Sequence, residues 1–261
     1  LDDPLRVDAA SLQALTPEIL AKEFQVSQSN QLLGLKDRAK LLNRLGDTLL
    51  KQKNIFEAEN TFRPGNLFDY LTRNQVTGVL EARDILVAVL QGMGEIWPDG
   101  SWIDNVAIGD AGYHEVVKRS DVTDGIVPFH KLSQWMSYSL IEPLQEAGFK
   151  VNNLDALTGL AEYRNGGLFI DTKAISLKDR TQLEVVHDPK SPLVVEWRAL
   201  TVVLLDKLAE KIRRSTNTDS RSMPLASILQ GGTWSAGRRI AQQLRANGVP
   251  PLQLNSRGTI F

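Results

Sequence analysis

The sequence predicts a mainly α-helical fold with minor β structure, and three observations carry that expectation. Between residues 35 and 50, Leu35, Ala39, Leu42, Leu45 and Leu49 recur every three or four positions, as on a helix with one buried face. The stretch 196–214 is apolar around most of a helical circumference, which places it near the centre of the fold. Asp8 and Thr16 are N-cap candidates, and Pro17-Glu18 supplies the proline and acid that a first helical turn favours.

The remaining elements follow in order. Residues 66–73 and 81–93 repeat the helical spacing, and Trp97-Pro98-Asp99-Gly100 reads as a turn. Residues 101–117 have no clear period, and Asp124-Gly125 marks another turn. A helix is expected over 129–140, disturbed by Pro143, and a shorter one over 154–163. Gly166-Gly167 then reads as a break, with 168–171 as a short strand. Beyond 196–214, helices over 224–230 and 235–246 are separated by Gly231-Gly232, and 252–254 with 259–261 suggests a small hairpin. No repeat or linker divides the chain. The expectation is one helical domain over 1–261, or two closely packed helical lobes.

Composition narrows the function. Thirty Lys and Arg against 31 Asp and Glu leave no basic field, so nucleic acid is a poor partner. The sequence contains no Cys, which removes thiolate nucleophiles, disulfides and Cys-ligated metal centres. His114, His130 and His187 lie far apart, so neither metal nor cofactor is expected. No apolar run approaches the ~18 residues of a membrane span, and no signal peptide is visible, which points to a cytoplasmic protein. The sequence opens on Leu1-Asp2-Asp3-Pro4 rather than Met, as a fragment lacking an N-terminal region would.

Four segments combine charge, aromatics and glycine. Glu162 precedes Tyr163, Arg164 and Asn165; a carboxylate beside a guanidinium stays ionised, and such an anion either serves a reacting centre or closes a helix end. Glu196 and Arg198 flank Trp197 at the start of the long helix. Glu196 suits the helix dipole, whereas Arg198 opposes it and calls for a carboxylate partner or a bound anion. His130 and Lys131 begin a helix, with Gln134 one turn on and Trp135 on the face of Lys131; each is a ligand contact or a packing residue. Gly231-Gly232-Thr233 ahead of Arg238-Arg239 reads as an anion site or as a tight capped connection.

Taken together, FHKLSQWMSYSLIEPLQEAG, LTGLAEYRNGGLFID, VEWRALTVVLLDKLA, GGTWSAGRRIA and PPLQLNSRGTIF, with RPGNLFDYL near Arg63, carry a resemblance. They resemble the fungal and bacterial family, built on an uncharacterised domain, that contains the fourth uracil-catabolism protein. That resemblance implies a role where an opened uracil ring leaves a ribosylated urea. The order Phe129…Lys131…Gln134, Leu157-Thr158…Ala161-Glu162-Tyr163-Arg164 and Glu196…Arg198-Ala199 is also similar, more weakly, to queuosine-salvage N-glycosidases. Their helical architecture resembles helix-hairpin-helix DNA glycosylases, and their catalytic Asp falls at Glu162.

The two resemblances imply hydrolysis of an N-ribosyl bond in a small ribosylated substrate, with or without a phosphate. Glu162 is then the catalytic carboxylate with Asp171 as a reserve acid. His130, Lys131, Gln134, Trp135, Tyr163, Arg164, Asn165, Glu196, Trp197 and Arg198 are the candidate substrate contacts. The alternatives are amide hydrolysis of the urea moiety and a helical module that binds a nucleotide or partner without reacting.

Overall fold

The first helices begin where the cap chemistry puts them. In the computed structural model, which describes residues 6–73, 75, 77–97 and 100–255, α1 (Ala9–Gln13) opens on Asp8, whose carboxylate accepts the Ser11 N–H at 2.8 Å. α2 (Pro17–Glu23) opens on Thr16, whose Oγ1 accepts the Ile19 N–H at 3.2 Å, with Pro17 in the first turn. α3 (Leu35–Lys51) follows the apolar spacing and buries Ala39 and Leu49. There follow α4 (Lys53–Phe56), the antiparallel pair β1 (Glu57–Ala58) and β2 (Thr61–Phe62), α5 (Asn66–Thr72), β3 (Val79–Glu81) and α6 (Ala82–Met93). The stretch without a period holds two short antiparallel ladders. β4 (Ser101–Ile103) pairs with β5 (Val106–Gly109), and β6 (Ala111–Tyr113) with β7 (Ile126–Pro128).

α7 (Lys131–Glu146) starts two residues later than the sequence suggests, because Phe129 and His130 give their N–H groups to the Asp110 carbonyl. It runs through Pro143, whose own carbonyl accepts the Ala147 N–H at 3.0 Å. β8 (Lys150–Asn152) lies parallel to β3. The rest is α8 (Tyr163–Asp171), β9 (Val186–His187), α9 (Pro192–Thr216), α10 (Leu225–Ile228), α11 (Trp234–Leu244) and β10 (Gln253–Leu254).

The chain forms two compact units. One takes the residues up to Gly109 together with Ser139–Asn152, and its interior holds Leu49, Phe56, Ile85 and Val89. The other takes Asp110–Tyr138 and the described residues from Asn153 onward, and it contains every candidate site residue. In this second unit α9 is the axis. Val194 and Trp197 pack with Leu252, Val195 with Phe129 and Ala161, and Leu205 and Ala209 with Phe169, Leu225, Ile228 and Leu229. Three apolar clusters therefore share one helix, as its composition anticipates. Glu196, Leu200 and Val203 form its exposed stripe.

The segment before α8 departs from expectation. Residues 154–163 are not a helix: a single 3₁₀ turn, Leu154–Ala156, gives way to irregular chain, and the helix begins after Glu162. Gly166-Gly167 lies inside that helix, and 168–171 is helical rather than a strand. The glycines serve close approach. A Cβ on Gly166 would stand 2.7 Å from Trp197 Cε2, and the Gly166 carbonyl accepts the Trp197 indole N–H at 3.0 Å. On the other side, a Cβ on Gly237 of α11 would collide with the Arg164 carbonyl. α8 is thus clasped by α9 and α11 at backbone distance, and this packing outweighs the low helix propensity of glycine.

Gly231-Gly232 likewise does not divide two helices. Leu229–Thr233 is π-helical and continues into α11, so no helix N-terminus exists there to hold an anion. β10 lies parallel to β9. Residues 259–261 of the expected hairpin, and Pro98 and Asp99 of the expected turn, lie outside the described residues.

The two kinds of glycine separate experimentally. Gly166→Ala is expected to destabilise the protein by about 1–3 kcal/mol through overpacking against Trp197 and Thr201. Gly231 is exposed, and a Cβ added there would meet nothing within 4 Å. Gly231→Ala is therefore expected to be neutral or to stabilise by up to about 1 kcal/mol. Chemical denaturation of both variants checks the pair.

Candidate functional site

The site is organised around a buried ion pair. Arg198 on α9 is 3% exposed and Asp110, just before β6, is 8% exposed. Arg198 Nη1 donates to Asp110 Oδ1 at 2.8 Å and Nη2 to Oδ2 at 2.7 Å. The Arg198 Nε–H goes to the Ala161 carbonyl at 3.2 Å, and the guanidinium lies 4.0 Å from the Phe129 ring centroid. Such a planar fork is what a two-oxygen acceptor and an aromatic face together accommodate. Asp110 does more than neutralise it. Its Oδ2 accepts the Lys131 N–H at 3.0 Å, and its backbone carbonyl accepts the N–H groups of Phe129 and His130.

The carboxylate that Arg198 requires is therefore Asp110, a residue that sequence reasoning missed, and not Glu196. Its only signal was an acid set among small residues, Gly109-Asp110-Ala111-Gly112, in a stretch without a period.

Next to this pair lies Glu162, 5% exposed, as the N-cap of α8. Its Oε2 accepts the Arg164 N–H at 2.7 Å and its Oε1 the Asn165 N–H at 2.6 Å. Both carboxylate oxygens thus face the positive end of a helix. Burial raises the Glu162 pKa, opposed by those two backbone hydrogen bonds and by the charges of Lys131 and Arg164. The Arg164 side chain is not what chiefly holds the anion. Its Nη1 donates to the Gly248 carbonyl at 2.7 Å and its guanidinium lies 5.0 Å from the Tyr163 ring centroid.

Lys131, 7% exposed, stands in the combined field of Glu162, Asp110 and Arg198. Burial and then Arg198 push its pKa down to about 8, against the pull of the two carboxylates. His130 has left-handed backbone with φ 49°, its N–H given to Asp110 and its carbonyl accepting the Gln134 N–H at 2.8 Å. Burial and then Arg198 lower the imidazole pKa, favouring the neutral ring, while Asp110 acts in the opposite direction. Gln134 Oε1 accepts the Thr158 N–H at 3.1 Å and so ties down the irregular chain leading to Glu162. The arrangement is a carboxylate with a raised pKa beside an amine with a lowered one. That is the pairing from which an acid and a base near neutral pH are drawn.

Other candidates stand apart. Asp171 forms a two-point ion pair with Arg245, at 2.7 and 2.6 Å, and is not a free acid. Glu196 is exposed and lines a cleft of about 350 Å³ with Trp197, Leu200, Leu252 and Gln182, whose lining includes neither Glu162 nor Lys131. Trp197 is engaged in packing and in its bond to Gly166. Trp135 is 49% exposed rather than a core residue, and Tyr163 packs at the edge of the cluster around Trp197. Among the described residues no three His, Asp or Glu side chains gather as a metal site, and no helix is long and apolar enough to cross a membrane.

Comparison with known proteins supplies the wider context. The family model described as "Protein of unknown function (DUF1688)" matches residues 1–261. Uracil catabolism protein 4 of Lachancea kluyveri is 36% identical over 287 residues, covering 100% of this chain and 64% of that protein. Protein urg3 of Schizosaccharomyces pombe is 37% identical over 259 residues, covering 98% of this chain and 61% of that protein. The chain thus spans less than two thirds of the length of these relatives.

The buried charges make the site testable by unfolding. Asp110→Asn leaves Arg198 uncompensated in the interior and is expected to cost about 3–5 kcal/mol, of which adding Arg198→Met restores a large part. Equilibrium unfolding of the single and double variants checks this. Lys131 binds its proton more weakly folded, near pH 8, than unfolded, near 10.5. Between those values the unfolded chain holds more protons, so this group makes stability rise with pH across that window. Unfolding free energies at about pH 7.5, 9 and 10 are expected to show the rise in the wild type and to lose it in Lys131→Met.

Proposed function

The chain belongs to the DUF1688 family, and on that premise we propose that it acts in uracil catabolism as a hydrolase of an N-ribosyl bond. A relative that carries uracil catabolism in its name supports the process. The observation that carries the chemistry is Glu162, a buried carboxylate oriented by two helix N–H groups beside the Lys131 amine.

Cleavage of an N-ribosyl bond passes through an oxocarbenium-like state, in which the anomeric carbon gains positive charge as the C–N bond lengthens. On this reading the ionised Glu162 stabilises that charge and takes a proton from the attacking water, as Lys131 gives one to the departing nitrogen. The water oxygen joins the anomeric carbon. The departing nitrogen leaves with the bond pair and collects a proton, so ribose and a neutral urea result. Urea departs poorly as an anion, and Lys131, titrating near pH 8, is the proton donor within the same field. By the weaker resemblance Glu162 falls where the queuosine-salvage glycosidases carry Asp, a departure that moves the carboxylate by about one methylene. The helical second unit is, in this view, the counterpart of the helix-hairpin-helix glycosylase architecture, acting in the cytoplasm on a small soluble substrate. Asp171 drops out as the reserve acid because Arg245 occupies it.

The competing reading is a helical module that binds a nucleotide or partner without reacting. It draws on the same cap, since two satisfied N–H groups are what any structural N-cap provides.

Hydrolysis of ribosylurea, with and without a 5′-phosphate, separates the two. The full-length protein is expected to release urea, and Glu162→Gln to lose ~10²-fold or more of kcat/KM. Glu196→Gln is expected to stay within about twofold, since its carboxylate lies on the exposed stripe of α9. No urea from folded wild-type protein on either substrate defeats the hydrolase reading.

A further inference from the structure

Two buried polar atoms at this site have no hydrogen-bond partner among the described residues: Asn165 Oδ1 and His130 Nδ1. Asn165 is 1% exposed, and its N–H is the one held by Glu162 Oε1 at 2.6 Å, so its position is tied to the carboxylate. Its Nδ2 reaches only the Leu160 carbonyl, at 3.4 Å. Turning the amide over does not relieve this, because it sets one oxygen against another and leaves the amide N–H₂ unmatched instead. Among the described residues nothing uses the Asn165 oxygen. A side chain of the same shape without polar atoms would satisfy the packing at lower cost.

His130, in the field of Asp110 and Arg198, also has a buried ring nitrogen without a partner among the described residues. It directly precedes Lys131 and holds a left-handed backbone that non-glycine residues rarely adopt. Its neutral ring carries one N–H and one lone pair. Backbone strain and unmatched polar groups collect where a ligand supplies what the fold does not.

We propose that Asn165 reads the leaving group of the substrate, its Oδ1 accepting an N–H from the terminal NH₂ of a ureido group, with His130 Nδ1 making a second contact to the ligand. The inference rests on the reading of Glu162 as the carboxylate of the site. The Asn165 oxygen is an acceptor only, so it selects a ligand that presents a donor and repels a phosphate or carboxylate oxygen at that position. Asn165 adds no bond-making step; it confers specificity.

The test compares N-ribosylurea with N-ribosylacetamide, in which a methyl group replaces the terminal NH₂ at nearly the same size. Binding is followed by the protein fluorescence change on mixing, with urea release recorded in the same samples. Wild-type full-length protein is expected to prefer ribosylurea by ~10-fold or more, because the analogue leaves a buried acceptor unmatched. Asn165→Leu is expected to bind the two within about twofold and, without ligand, to unfold at the same temperature or higher. That second readout is one a structural amide would not give. The proposal is overturned by a wild type that shows no preference or binds neither probe. It is equally overturned by an Asn165→Leu variant that keeps the preference, loses stability or fails to fold. Preference without urea release would leave it standing while removing the hydrolase reading. Urea release with an unchanged preference in Asn165→Leu would do the reverse.

Discussion

The second unit depends on the interaction between Arg198 and Asp110. Four pieces of chain meet there: the start of β6 through Asp110, the β7–α7 junction through the N–H groups of Phe129, His130 and Lys131, the approach to α8 through the Ala161 carbonyl, and α9 through the guanidinium. A buried charge pair of this kind is a weak source of net stability, because desolvation offsets much of the attraction. Its effect is on geometry. An apolar contact tolerates sliding, whereas a two-oxygen fork with four further hydrogen bonds to backbone does not. The pair sets where α7 begins, and through Ala161 it sets where Glu162 stands.

Once that register is fixed, the glycines decide how closely the helices approach. Gly166 lets the α8 backbone touch the Trp197 indole, and Gly237 lets α11 lie against the Arg164 carbonyl. The first turn of α8 is held from both sides, so the N–H groups of Arg164 and Asn165 are fixed before any ligand arrives. A carboxylate oriented by fixed dipoles needs no reorganisation when charge develops nearby, which is the property electrostatic catalysis draws upon.

The electrostatics are mutual. Glu162 and Asp110 favour the charged form of Lys131, Lys131 favours the charged form of Glu162, and burial works against both of those ions. Arg198 and Asp110 satisfy each other through two hydrogen bonds. Burial shifts the proton affinities of Lys131 and Glu162 in opposite directions, lowering the one and raising the other. Candidate acid and candidate base therefore emerge from one cluster, held in place by a pair whose charges are matched to each other.

The sequence by itself determined what depends on neighbours along the chain. The caps at Asp8 and Thr16, the amphipathic helix from Leu35, the central helix around Trp197 and the demand of Arg198 for a carboxylate partner or a bound anion all follow from local hydrogen bonding, hydrophobic period and dipole. The motif around Glu162 was visible too, with its direction reversed: it caps the start of a helix where the glycines suggested an end. Only the tertiary structure decided what depends on residues far apart. That Asp110 answers Arg198 across 88 positions, that Gly166 and Gly237 are contact glycines, and that Asp171 is tied to Arg245 while Glu196 faces outward, no local pattern records. Glycine reads as a breaker until a partner occupies the space of its missing Cβ, and a carboxylate reads as free until a guanidinium arrives from another helix. Pairing of that kind is a property of the packed chain.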